Sequence, residues 1–207
     1  MWIVTNIQLQ NSSNYQRIDC GSYQIYVMPN EYISENIIFP AVLFSGYITF
    51  RKTNNVYIYS GEGLSLNHRL ICDITNDDNF MKNIKGNFIL IQFNSDTFNI
   101  YSDHFGIKKI FFYTNNRKFI ISDNLKAITN NVATIPSSEN MGVYALTYHF
   151  TGGLTAFKDI YHNQPGQCIS YRNRKIEISQ YWKPETLIEN NKRNVTIKDL
   201  ADKLNEL

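Results

Sequence analysis

Residues 86–123, GNFILIQFNSDTFNIYSDHFGIKKIFFYTNNRKFIISD, limit the possible folds more than any other stretch. Short runs rich in β-branched and aromatic residues occupy 88–93, 98–101, 110–113 and 119–122. Between them stand Asn94-Ser95-Asp96, Asp103-His104-Phe105-Gly106 and Asn115-Asn116. Asn, Asp and Gly favour turns because they bond their own backbone or accept a positive φ, so the stretch reads as consecutive hairpins. Phe88-Ile89-Leu90-Ile91 and Ile110-Phe111-Phe112 are apolar without alternation. A sheet covered on both faces is therefore expected.

The rest of the chain agrees with a β-rich domain. Strands are expected at 2–10 and 23–28, the latter stopped by Pro29-Asn30. A hairpin is expected from 42–50 and 56–59, with Gly61-Glu62-Gly63 breaking the sheet, and another from 169–171 and 176–178 over Asn173. Short helices are expected behind Asn76-Asp77-Asp78, over 123–129, and from Ser137-Ser138-Glu139 to about Phe150, ended by Gly152-Gly153. About ten strands with few helices make an α+β layered domain. The 207 residues fit one domain with the beginning of a second, and 43% hydrophobic content supplies a large core. A net charge of +2, with no basic tract longer than Lys192-Arg193, argues against nucleic acid as a partner. No apolar run spans a bilayer, and 1–6 lacks the form of a signal peptide, so the expected location is cytoplasmic. Cys20, Cys72 and Cys168 are far apart and read as free buried thiols. His68, His104, His149 and His162 are dispersed, and no metal site is expected.

Several segments together resemble the N-terminal glutaminase domain of asparagine synthetases. They are Gly86-Asn87-Phe88, then Asp103-x-Phe105-Gly106-Ile107-Lys108, then Ser122-Asp123-Asn124-Leu125-Lys126-Ala127. That family reads G-x-F-A, R-D-x-F-G-x-K-P-L-Y-Y and F-S-S-E-x-K-A-L. Here His104 stands where Arg is frequent and Lys109 where Pro is usual. A second block, with Phe157-Lys158-Asp159-Ile160, Gln164-Pro165-Gly166 and Tyr181-Trp182, parallels the family's F-x-x-I, L-P-P-G and Y-W. The two blocks cover a little under half the chain, and 11–80 match poorly.

The resemblance implies a four-layer α-β-β-α sandwich of two antiparallel sheets, as in N-terminal nucleophile (Ntn) hydrolases. It also implies a first mature residue, Cys, whose thiolate attacks the glutamine amide while its own α-amino group, of pKa about 7.7–8.0 when free, serves as base. This sequence begins Met1-Trp2-Ile3-Val4 where the family has Met-Cys-Gly-Ile-Val. Trp2 has no nucleophilic atom, and its bulk should prevent removal of Met1. The N-G-E-I-Y-N segment that holds glutamine and the oxyanion is reduced to Ser45-Gly46-Tyr47-Ile48-Thr49. The expectation is an inactive glutaminase-like domain with no catalytic residue. Gly86, Phe88, Asp103, Phe105, Gly106, Pro165, Gly166 and Trp182 are then signature residues with structural roles. Asp103 reads as a turn cap before it reads as a polarising group. The rivals are an active amidotransferase supplying ammonia for asparagine synthesis, with Cys20-Gly21 exposed by processing, and a stand-alone binding module.

Residues 184–195 read as a linker. Ile197, Leu200, Leu204 and Leu207 then form one helical stripe behind Thr196, the expected start of a truncated synthetase-like domain. The resemblance makes that domain of the same chain the partner and gives it ATP and Mg, with no cofactor in residues 1–183; it also admits a homodimer. The family's Ser-Gly-Gly-x-Asp-Ser pyrophosphate loop does not occur in these residues, and neither Gly61-Glu62-Gly63 nor Gly152-Gly153 carries the Lys-Ser/Thr of a phosphate loop. Superfamily members without the Cys include β-lactam synthetases and lasso-peptide cyclases, whose amine comes from the substrate itself.

Overall fold

The computed structural model describes residues 1–10, 12–28, 41–52, 55–66, 80–115 and 117–185. Two six-stranded antiparallel sheets make up almost all of it. The first is built from β1 (Trp2–Thr5), β2 (Gln16–Asp19), β3 (Gln24–Val27), β8 (Phe111–Asn115), β9 (Lys118–Ser122) and β10 (Ile160–His162), in the order β10-β8-β9-β1-β3-β2. The second contains β4 (Ala41–Lys52), β5 (Asn55–Leu66), β6 (Lys85–Phe93), β7 (Phe98–Ser102), β11 (Gln167–Arg172) and β12 (Lys175–Gln180), in the order β12-β11-β7-β6-β4-β5. The described helices are α1 (Phe80–Asn83), α2 (Leu125–Thr129) and α3 (Ser138–Thr147).

The sheets meet through one core. Trp2, Val4, Ile25, Val27, Phe119 and Ile121 from the first pack with Leu43, Ile89, Ile91, Phe98, Ile100 and Tyr171 from the second. Its centre is aromatic. Tyr23 and Phe119 lie 5.0 Å from Phe98 and Tyr171 respectively, and Phe98 stacks on Tyr171 at 5.3 Å. Such offset and edge contacts add to simple area burial. The Tyr23 hydroxyl donates across the interface to the Asn94 carbonyl at 2.7 Å. On the outer face of the first sheet, Ala127 and Ile128 of α2 cover Ile3, Tyr26 and Ile120. All four residues of β1 are thus buried, as a central strand with both faces covered requires. β2 and β12 lie at sheet edges and are mostly exposed; Arg17 pairs with Asp19 at 2.6 Å on the former. Charge on an edge strand discourages further pairing.

The expected strands fall close to the observed ones, except that the first, expected over 2–10, ends at Thr5, and with four further differences. First, the runs of 86–123 are not consecutive hairpins in one sheet. β6 pairs with β7 and β8 with β9, but the two hairpins lie in different sheets. The turn signals around 103–109 mark a crossing between layers, which local residue chemistry does not distinguish from a tight turn. Second, Gly61-Glu62-Gly63 does not break the sheet: β5 runs through it, and Gly61 pairs with Gly46. Third, β2 and β10 escape the apolar pattern because they are short and lie at edges. Fourth, α3 stops at Thr147 because Tyr148 turns left-handed, with φ 58°. The turn at 76–78, Cys72, the polar stretch beyond 185 and the helical stripe at 196–207 lie outside the described residues.

Candidate functional site

The segment that carries the chain between the sheets is held by Asp103. The residue is fully buried, and its carboxylate accepts from the backbone N–H groups of Phe105 (3.0 Å), Ile107 (3.1 Å) and Lys108 (3.1 Å). Its carbonyl accepts from Gly106 and Gly166, and its own N–H donates to Phe88. One residue therefore fixes β6, the crossing and the loop before β11. A buried charge is tolerable when this many donors converge on it.

The signature residues gather around this crossing. Gly166 adopts φ +62°, and an added Cβ would lie 2.4 Å from the Trp182 carbonyl. Gly86, at φ +141°, lets β6 approach β4, since a Cβ there would lie 2.0 Å from the Tyr47 carbonyl. Both positions require glycine. Pro165 packs at Gly106, and Phe88 is wholly buried. Trp182 stacks on His104 at 4.5 Å with rings 6° apart, and meets the edge of Phe105 at 5.9 Å. Phe105 itself is 68% exposed. Sequence reasoning passed over Asn163. It is 1% exposed; its Oδ1 accepts from Ile110 N–H at 2.8 Å, and its Nδ2 donates to the Lys108 carbonyl at 3.2 Å. A lone Asn before a Gln-Pro-Gly turn looks like ordinary turn chemistry, so no local signal marks it. Asn163→Ala is expected to cost about 2–3 kcal/mol by stranding buried backbone groups, measured by urea denaturation.

Burial pushes the His104 imidazole pKa down, a trend opposed by its bond to the Met81 carbonyl and by Asp103, and reinforced by Lys85. A lowered folded value means that the unfolded chain binds more protons below about pH 6.5. Stability is then expected to fall as pH drops through that range, and to be free of this effect above it. His104→Phe should flatten the slope of melting temperature against pH between 5 and 7.

The other end of the constellation is the start of β1. Trp2 is 2% exposed and its side chain belongs to the inter-sheet core. Its N–H donates to Asp123 Oδ1 at 3.0 Å, the Met1 amine lies 3.8 Å from Asp123 Oδ2, and Ser122 Oγ donates to the Trp2 carbonyl at 2.6 Å. Ser122-Asp123 thus clamps β1 from a strand far away in sequence. Opposite, on β4 and β6, Ser45 pairs with Ile89 and Tyr47 with Asn87 in the row that begins with Leu43 and Ile91. By strand alternation these residues face the inter-sheet side. The Lys108 ammonium donates to Ser45 Oγ at 3.3 Å. The Trp2 Nε1–H and the Asn87 Oδ1 are buried with no hydrogen-bond partner among the described residues.

Neither described cysteine is poised as a thiolate. Burial pushes the Cys20 thiol up to about 12 and also raises that of Cys168. Among the described residues no group of three or more His, Cys, Asp or Glu could hold a metal ion, and no helix is long and apolar enough to cross a membrane.

Residues 72–182, which include the crossing and all the signature residues from Gly86 to Trp182, match the family model for a glutamine amidotransferase domain. No curated protein matches the chain.

Proposed function

Because the chain belongs to the glutamine amidotransferase domain family, we propose that it is the amidotransferase-type domain of an asparagine-synthetase-like, amide-forming ligase, and that it does not itself hydrolyse glutamine. The observation that carries this reading is the indole of Trp2, packed into the inter-sheet core where β1 opens. An Ntn-hydrolase reaction needs a thiol or hydroxyl on that residue, joined covalently to the amine that serves as its base. Trp2 offers neither, and its ring fills the space beside the strand. On the facing strand, Ser45-Gly46 stands where the resemblance would place oxyanion donors, and Lys108 reaches over it.

The rival with Cys20 as a processed nucleophile is disfavoured by topology. Cleavage before Cys20 would remove β1 and β2, and β1 lies between β9 and β3 in its sheet. Cys20 is itself 1% exposed and its N–H is bonded to the Tyr23 carbonyl. ATP and magnesium are what the resemblance implies for the ligase reaction. That chemistry is assigned to a synthetase-like partner domain. Phe105, 68% exposed against Trp182, and Ile107, 59% exposed, supply an apolar surface for it.

Purified chain is expected to retain Met1 by intact-mass measurement and to form no glutamate from millimolar glutamine above a heated control. Heat-labile glutamate production that disappears on thiol alkylation would overturn the reading and make this a working ammonia donor.

A further inference from the structure

At the end of β1 and β9 away from Trp2 and Asp123, hairpin turns from the two sheets bring cations together. Arg117 lies in the turn between β8 and β9, where Asn115 pairs with Lys118. Arg174 lies in the turn between β11 and β12, where Arg172 pairs with Lys175. Both adopt the left-handed region, with φ 73° and 59°, and Asn173 beside Arg174 does so at φ 51°. Glycine suits these positions; arginine holds them at a conformational cost. The Asn6 side chain pins the first turn, donating to the Arg117 carbonyl at 2.5 Å and accepting from Phe119 N–H at 2.9 Å.

Arg117 and Arg174 both line two cavities. One, of about 210 Å³, is completed by Lys175 and the buried Phe119 among others; the second, of about 310 Å³, by Asn6, Ser22 and the buried Tyr171. Among the described residues no carboxylate lines either. Among the described residues, the ion pairs are Met1 with Asp123 and Arg17 with Asp19, so the guanidinium groups and the Lys175 ammonium are unpaired. Asp19, the last residue of β2, and Asp96, in the turn between β6 and β7, are engaged with Arg17 and with the Ser95 hydroxyl. The first cavity is thus a cleft ringed by three like charges, which repel one another until an anion enters. The fork of a guanidinium matches phosphate oxygens two at a time, and a buried aromatic floor lowers the local dielectric.

We propose that this cleft binds a phosphate-bearing small molecule, gripped by Arg117 and Arg174 with Lys175 as a third positive charge. The test is calorimetric titration of the full chain with inorganic phosphate and inorganic triphosphate, at ionic strength held constant with sodium chloride. Arg117→Gly with Arg174→Gly suits both turns, so the double variant should melt no lower than the parent. Triphosphate is expected to bind the parent saturably, and at least tenfold more weakly to the double variant, with Lys175→Gln between them. Equal binding to parent and double variant, or heat matched by chloride alone, would overturn the proposal. Tighter binding of citrate than of triphosphate would reject phosphate as the ligand class. Should the glycine pair fail to fold, Arg117→Gln with Arg174→Gln gives the same readout with the turns kept.

Discussion

Asp103→Ala is expected to be the most damaging single substitution away from the hydrophobic core. It strands three backbone N–H groups, those of Phe105, Ile107 and Lys108, around a residue that is fully buried. Each buried donor left without an acceptor costs on the order of 1–3 kcal/mol, so the total is about 4 kcal/mol or more. Domains of this kind have roughly 5–15 kcal/mol in all. Asp103→Asn keeps one acceptor oxygen and turns a donor toward donors; it should cost about half as much. The measurement is the midpoint of guanidinium denaturation for the parent and both variants. A midpoint for Asp103→Ala within error of the parent would show that the crossing is held by Asn163 and packing instead.

The second large effect is expected at Trp2. Its side chain is almost wholly enclosed and its Nε1 has no partner, so truncation removes packing without breaking a side-chain hydrogen bond. Trp2→Ala should cost about 3–5 kcal/mol through lost contacts and a residual cavity. For a domain this size that is a drop in melting temperature of roughly 6–20 °C. Trp2→Phe removes the stranded donor along with part of the volume, and should cost about half of that or less. If Trp2→Phe is instead as harmful as Trp2→Ala, the role of Trp2 as simple filler is wrong.

Much of the architecture is legible in the chain because its strands are dense in aromatic and β-branched residues with turns between them. The positions of β6, β7, β8 and β9 follow from that pattern within one to three residues. What the pattern could not reveal is which strands share a sheet. The segment 103–109 has the composition of a turn, yet it changes layers, and only the convergence of Phe88, Asp103, Asn163 and Gly166 decides this. Those bonds join residues far apart in sequence. The site was legible in the same uneven way. Trp2 stood out because a chemically inert residue fills a position where the resemblance calls for a nucleophile. Asn87, Ser45 and Lys108 were legible only as members of motifs; strand pairing puts Ser45 and Asn87 in one row, and the crossing brings Lys108 to Ser45. Asp123 was legible as part of a signature but not as the clamp on β1.

The central place of β1 also bears on how the domain folds as it is made. β1 is synthesised first, but one of its two neighbours, β9, arrives with Ser122 opposite Ile3. At an elongation rate of roughly 5–20 residues per second, the strand waits on the order of ten seconds with one edge open. Meanwhile β4 pairs with β5 and β6, and β6 with β7, all near neighbours in sequence, so this part of the second sheet can form first, with β11 and β12 joining later. Closing this long loop makes a slow step, since the entropy of bringing distant strands together is lost before their contacts reward it. The Ser122-Asp123 clamp is then the latch that ends the wait. Variants that weaken it should lengthen the time the newborn chain is open to aggregation more than they change the finished fold.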